Sequence, residues 1–285
     1  KEIYQESYRK FTSGAFFLYQ RLFEPIVDLL GKENRNIVII PDGQMAYLPW
    51  EVLIRKLPEK SEDVNFRDLP YLLNDYNISY AYSATTLFNE FDKKERKSEH
   101  SILAFAPTYG ESEVERKSYA SLSPVFRNEI VPLKWNGAEI SEIAKYFKGT
   151  FLKAELATEK SFKEDVANHS IVHLAVHGLI DHENTMMSRL VFNVENDTIE
   201  DGMLHTYELL NMNLSAELAV LSACNTGIGE LKKGEGIMSL GRAFAYAGCP
   251  SVVMSHWFVP DRSTAQLMKY FYQALSEGKR KDEAL

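Results

Sequence analysis

A thiol and an imidazole at the ends of two apolar runs are the side chains of this sequence best suited to covalent chemistry. The run IVHLAVHG at 171–178 closes on His177 and Gly178, and LAVLSACNTG at 218–227 closes on Cys224 and a glycine-containing turn. Cysteine attacks as its thiolate, so a partner must take its proton, and imidazole titrates near neutrality. If the two runs are neighbouring strands of a parallel sheet, about 4.7–4.9 Å apart, both side chains face one pocket. The backbone N–H groups of Gly178 and Cys224 could then turn toward a developing oxyanion, with the glycine allowing close approach of a substrate. On spacing alone the alternative stays open that Cys224 is packing at the end of an apolar strand.

Other chemistries fit less well. His173 and His177 are four apart, but their β-branched surroundings indicate a strand, and no H-E-x-x-H pattern or third ligand accompanies them, so no metal is expected. His173 reads as a buried structural residue. The stretch GIGELKKGEG at 227–236 has neither the Walker lysine nor the third glycine of G-x-G-x-x-G, and reads as a mobile loop bordering the pocket, open to autocleavage. Cys249, between Gly248 and Pro250, reads as packing.

Composition narrows the class. The 285 residues are 45% hydrophobic and 25% charged, which suits a globular chain of one large or two modest domains. A net charge of -8 argues against a nucleic-acid footprint, and the basic run KKERK at 93–97 reads as a solvated linker. Two cysteines build no disulfide framework and imply a reducing, cytoplasmic compartment. The longest apolar runs fall far short of the ~20 residues of a membrane span. Starting at Lys1 and stopping inside a helical pattern, the chain is expected to be an excised piece of a longer protein.

Alternating elements must position these groups. Helical spacing of aromatic and aliphatic residues predicts a helix over 1–31, broken near Pro25. The run NIVII at 36–40 predicts a strand buried on both faces, and 77–83 another strand, with a helix from Ala84 and a boundary near 92–100. Beyond it, strands at 101–107, 149–152, 171–177, 216–224 and 250–257 alternate with helices at 137–147, 158–168, 236–248 and 261–278. That order implies a mostly parallel α/β sheet with right-handed crossovers. Residues 189–206 interrupt it with a β-hairpin insertion.

HLAVHG at 173–178 and LSACNTG at 221–227, followed by GEGIMSLGRAFAYAGCPSVVMSHW, resemble the CHAT domain family: caspase-like, separase-related cysteine peptidases of clan CD, often attached to tetratricopeptide repeats. IVIIPDGQMAYLPWEVL at 37–53 and LMKYFYQALSEGK at 267–279 extend the likeness over nearly the whole chain. The resemblance implies a caspase-like sheet flanked by helices, with 99–285 as the catalytic subdomain and 1–98 as a degenerate companion. It implies His177 as catalytic base, Cys224 as nucleophile, and the Gly178 and Cys224 backbone as oxyanion hole, with no cofactor. The segment HWFVPD at 256–261 departs from the LWKVDD-like sequences common there; Ser255, Trp257 and Asp261 are still expected near the substrate, because they leave the strand after the catalytic one at the same sheet edge, with a structural role for Trp257 as the alternative. Asp181, Glu183 and Asp261 are candidate carboxylates for a basic substrate residue, the alternative being that they are simply solvated. The implied partners are a protein or peptide substrate and an attached repeat region or regulatory protein. Several relatives act in bacterial defence, some on gasdermin-like targets. The competing reading is a catalytically silent or conditional interaction module.

Overall fold

The computed structural model describes residues 2–31, 34–58, 65–91, 101–110, 119, 124–195, 197–222, 227, 229–232 and 236–285. The chain forms two compact units, Lys1–Leu87 and Phe88–Leu285. The boundary read from the sequence at 98/99 lies outside the described residues.

In the first unit, α1 (Glu2–Leu18) passes into a π-helical turn at Tyr19–Phe23 and a 3-10 segment at Glu24–Leu29. The break therefore begins before Pro25. Proline has no N–H to give and its ring crowds the carbonyl four residues back, so the turn ahead of it widens. Tyr19 and Phe23 pack with Trp50, Leu53 and Leu72. Strands β1 (Asn36–Ile39) and β2 (Asn77–Tyr80) pair in parallel, Ile37 opposite Ile78. The expectation that the first is buried on both faces is corrected: Ile37 and Ile39 face this core, while Val38 and Ile40 are exposed. A continuous apolar run does not distinguish a strand covered on one face from one covered on both. Helix α2 (Ala84–Phe91) spans the division between the units.

The second unit is built on five parallel strands, β3 (Ser101–Ala106), β4 (Lys148–Lys153), β5 (Ile171–Leu174), β9 (Leu218–Leu221) and β12 (Val252–Met254), in the order β12-β9-β5-β3-β4. Helices cover both faces, as all-parallel sheets require. Period-2 alternation divides β3: Leu103 and Phe105 face one core, Ile102, Ala104 and Ala106 the other. The first core is closed by Phe162 of α5 (Glu159–Asp165), Leu209 of α6 (Thr206–Leu210) and Phe244 of α7 (Leu240–Tyr246). The second is closed by Ile140 and Ile143 of α4 (Asn136–Ile143) and by Met268, Phe271 and Tyr272 of α8 (Asp261–Ser276). Gly248, at φ +110, ends the α7 region where a side-chain-bearing residue would be strained.

The second core holds one polar network. His173 is fully buried, with Nε2 2.9 Å from Glu139 Oε1 and Nδ1 3.1 Å from the Tyr272 hydroxyl. Burial, then the Glu139 carboxylate, hold the Tyr272 hydroxyl protonated. It therefore donates to Nδ1 while Nε2–H goes to Glu139, and every member has a partner. His173 is structural, as its spacing predicts.

Two departures from the predicted elements bear on the site. The 171–177 run is not one strand: after β5 the chain leaves the parallel sheet, and β6 (His177–Leu179) opens a separate antiparallel sheet with β7 (Arg189–Val191) and β8 (Met203–His205). The last two form the predicted hairpin. Secondly, the glycine-containing stretch is a hairpin rather than an open loop, with β10 (Gly229–Lys232) paired antiparallel to β11 (Gly236–Ser239), and α7 begins four residues later than the sequence suggests. Leu231 stands opposite Ile237 in this ladder.

Candidate active site

The sheet order reverses at β3: β4 follows on one side and β5 on the other, so the crevice beyond their carboxyl ends is a topological switch point. The chain after β5 delivers His177 there, and the chain after β3 delivers Tyr109 and, further on, Val131. Leu174 of β5 is paired with Leu221 of β9, and His177 and Cys224 each follow their strand partner by three positions. The two predicted strands are thus direct neighbours. Cys224 itself lies outside the described residues.

Three contacts hold His177. Its backbone N–H donates to the Tyr109 hydroxyl at 3.0 Å, and that hydroxyl donates to the Val191 carbonyl at 2.8 Å, across the β6–β7 ladder. The Tyr109 and imidazole rings lie 4.6 Å apart, inclined at 57°. The imidazole Nε2 is 2.6 Å from the Val131 carbonyl oxygen. A carbonyl only accepts, so Nε2 carries the proton and Nδ1 keeps the lone pair. Burial pushes the His177 pKa below its ordinary value, while the Val131 hydrogen bond and the Asp261 charge pull it back up. The ring is uncharged at neutral pH, with a basic nitrogen available.

Val131 belongs to a stretch without regular structure between α3 (Pro124–Glu129) and α4. Ile130 and Leu133 pack on Tyr109, Leu179, Val191 and Met203. Asp261 Oδ2 accepts the backbone N–H groups of Lys134 at 2.8 Å and Trp135 at 2.9 Å, and the Arg262 guanidinium lies over the Trp135 ring at 5.3 Å. Asn136 Nδ2 reaches the Pro107 carbonyl at 2.8 Å and the Ala175 carbonyl at 3.3 Å, joining the ends of β3 and β5.

The segment after β12 crosses the same sheet edge. Gly227, three positions after Cys224, donates its N–H to the Ser255 carbonyl at 2.9 Å. A Cβ on Gly227 would lie 3.0 Å from that oxygen and 3.4 Å from His256 Nδ1. Residues 255–261 are therefore tied at one end to Gly227 and at the other, through Asp261, to the segment holding His177.

A family model described as the CHAT domain matches residues 15–285. The chain belongs to the CHAT family. No curated protein matches it. CHAT domains are caspase-like peptidases, and the parallel sheet flanked by helices agrees with that fold.

Within this CHAT domain the residues singled out from the sequence are placed as follows. Gly178 stands opposite Leu190 in the β6–β7 ladder, next to His177. Trp257 is 50% exposed on the crossing segment, beside Phe258 at 73%. Asp181 organises a turn beyond β6: its N–H donates to Ser188 Oγ, and its Oδ1 accepts the N–H groups of Glu183 and Asn184. Asp261 is engaged by the backbone as described. The sequence reading passed over Tyr109, the Val131 carbonyl and Asn136. A backbone carbonyl has no sequence signal, and Tyr109 sits among turn residues with nothing to separate it from a packing aromatic. It also passed over Arg189, on the His177 face of the sheet, buried with its guanidinium 5.0 Å from the Phe126 ring.

Among the described residues, one carboxylate group could hold a cation: Glu159, Glu200 and Glu208. Lys163 Nζ lies 2.8 Å from each. Burial alone would lower the Lys163 pKa, but the three carboxylates overcome it and hold the ammonium charged. The protein's own cation occupies the centre of the group. No helix among the described residues is long and apolar enough to cross a membrane.

Proposed function

We propose that this CHAT domain is a cysteine endopeptidase in which Cys224 is the nucleophile and His177 the base. The observation that carries the reading is the His177 geometry: Nε2–H is committed to the Val131 carbonyl, which leaves Nδ1 as the proton acceptor at the end of the strand beside the one leading to Cys224. His177 Nδ1 takes the thiol proton, and Sγ forms a bond to the scissile carbonyl carbon. The Gly178 and Cys224 backbone N–H groups stabilise the oxyanion. The C–N bond then breaks, Nδ1 returns the proton to the leaving amine, and water hydrolyses the thioester with His177 again as base. The reaction so written uses no metal or organic cofactor.

Trp257 and Ser255 form a wall for the substrate chain, and Asp181, through the carboxylate oxygen not engaged by the Glu183 and Asn184 N–H groups, and Glu183 are the candidates for recognition of a basic residue. The substrate is a protein, and control comes from an attached tetratricopeptide region or a regulatory partner, in keeping with effector peptidases of bacterial defence.

Cleavage of a protein substrate by the purified parent should fall by roughly 10⁴-fold or more in Cys224→Ala. A peptide electrophile should label Cys224 in preference to Cys249, which is fully buried with Sγ 3.3 Å from the Ser251 carbonyl. Full turnover in Cys224→Ala rejects the peptidase; equal or absent labelling of the two thiols favours an interaction module.

A further inference from the structure

We propose that Asp261 is a positioning residue for catalysis rather than a carboxylate of the substrate pocket: it holds the Val131 carbonyl in place and through it fixes the His177 imidazole. The inference rests on the peptidase reading for its kinetic consequences, but its structural content concerns the imidazole alone.

The first observation is how Asp261 is occupied. One carboxylate oxygen, Oδ2, accepts two successive backbone N–H groups, from Lys134 and Trp135. Such a pair of charge-assisted bonds fixes the direction of the backbone as well as its position. The anchor on the other side is rigid, because Asp261 opens α8, whose Met268, Phe271 and Tyr272 are packed in the core. Its charge also suits the first turn of that helix.

The second observation is what the anchored segment does. Val131 lies three residues before Lys134, in a stretch with no strand partner, and is 52% exposed. Its carbonyl nevertheless makes a 2.6 Å hydrogen bond to His177 Nε2. Asn136 fixes the far end of the stretch to the ends of β3 and β5, and Ile130 and Leu133 seat it on the apolar cluster under β6 and β7. The Lys134 and Trp135 N–H groups lie between these anchors. Without an acceptor there, the backbone between Val131 and Asn136 loses its tie to α8, leaving Val131 only its local N–H bond to the Glu129 carbonyl, and the carbonyl no longer selects one tautomer and one ring orientation. A basic substrate side chain would in addition have to compete with two N–H donors for Oδ2.

The test uses two readouts on the intact chain. Imidazole ¹⁵N NMR, with His177→Gln to assign the signal, reports the tautomer whether or not the protein cleaves anything. Wild type should show Nε2–H; Asp261→Ala should move toward the tautomer mixture of a free imidazole. Asp261→Asn, whose amide oxygen still accepts both N–H groups, should keep the wild-type tautomer. In peptide hydrolysis, Asp261→Ala should lower kcat about tenfold or more with KM little changed, and Asp261→Asn should recover most of that loss. Misfolding of the alanine variant leaves the near-isosteric asparagine variant and the charge-reversing control Asp261→Lys to decide: Asn like wild type with Lys losing the Nε2–H tautomer supports the assignment. An unchanged tautomer in Asp261→Ala, or an effect confined to KM for basic substrates, overturns it. If wild type cleaves nothing, the peptidase reading fails while the tautomer result still judges the brace.

Discussion

His177 carries its chemistry through what surrounds it. Its ring is pulled two ways: burial disfavours the imidazolium, and the Val131 carbonyl and Asp261 charge favour it, with burial prevailing. A base whose pKa is depressed stays neutral, and so able to accept a proton, to lower pH than an ordinary imidazole. The acid limb of kcat/KM is therefore expected below pH 6.5, read from a pH–rate profile of peptide cleavage; a limb at or above that value contradicts the environment described. The same shift means that the folded protein binds fewer protons at this ring than the unfolded chain, so this contribution to stability is lost as pH falls below 6.5. A candidate base such as this imidazole is legible in a sequence because only certain residue types do such chemistry. The Val131 carbonyl is not, because every residue has one.

At the scale of elements, the segment 255–261 links the two halves of the site. It is held by Gly227 at one end and by the Lys134–Trp135 backbone at the other, and between them it presents Trp257 and Phe258 largely uncovered. Exposed aromatic rings on a pinned backbone provide contact area at little entropic cost. Trp257→Ala should accordingly raise KM several-fold with kcat nearly unchanged, since it removes binding common to ground and transition states. Because the ring is half exposed, stability should change by no more than about 1 kcal/mol, checked by denaturant melts. A fall in kcat at constant KM would instead place Trp257 in the brace around His177. The helix–strand alternation of this unit was readable from periodicity. The exit of the chain from β5 into the antiparallel β6 was not, since both halves of the 171–177 run are apolar and a change of sheet leaves no mark in a pattern of period two.

For the molecule as a whole, a buried carboxyl beside the first core bears on stability. Glu159 is nearly fully buried, and burial raises its pKa from 4.5 to about 7, against the pull of Lys163. A carboxyl whose folded pKa lies above its unfolded value contributes stability that is complete below pH 4.5 and is lost as pH rises through 7. Wild type should thus lose roughly 2 kcal/mol relative to Glu159→Gln between pH 5 and pH 8, by urea melts at both values. A constant difference would mean that Lys163 keeps Glu159 ionised throughout. Lys163 and the three glutamates are spread from 159 to 208, and nothing in their spacing announces that they meet; α5, the connection between β7 and β8, and α6 bring them together only on folding.

The sequence by itself determined the class of the protein: an α/β chain with a parallel sheet and a hairpin insertion, with an imidazole shortly after one strand as a candidate for chemistry. Apolar periodicity and turn residues encode secondary structure locally, and reactive side chains declare themselves by type. The tertiary structure alone decided that β5 and β9 are neighbours, that Nε2 rather than Nδ1 is spent on a carbonyl, and that Asp261 is occupied by backbone N–H groups. Those facts depend on contacts between residues as far apart as 134 and 261, and on backbone groups common to all residues, so they come into being only when the chain is folded.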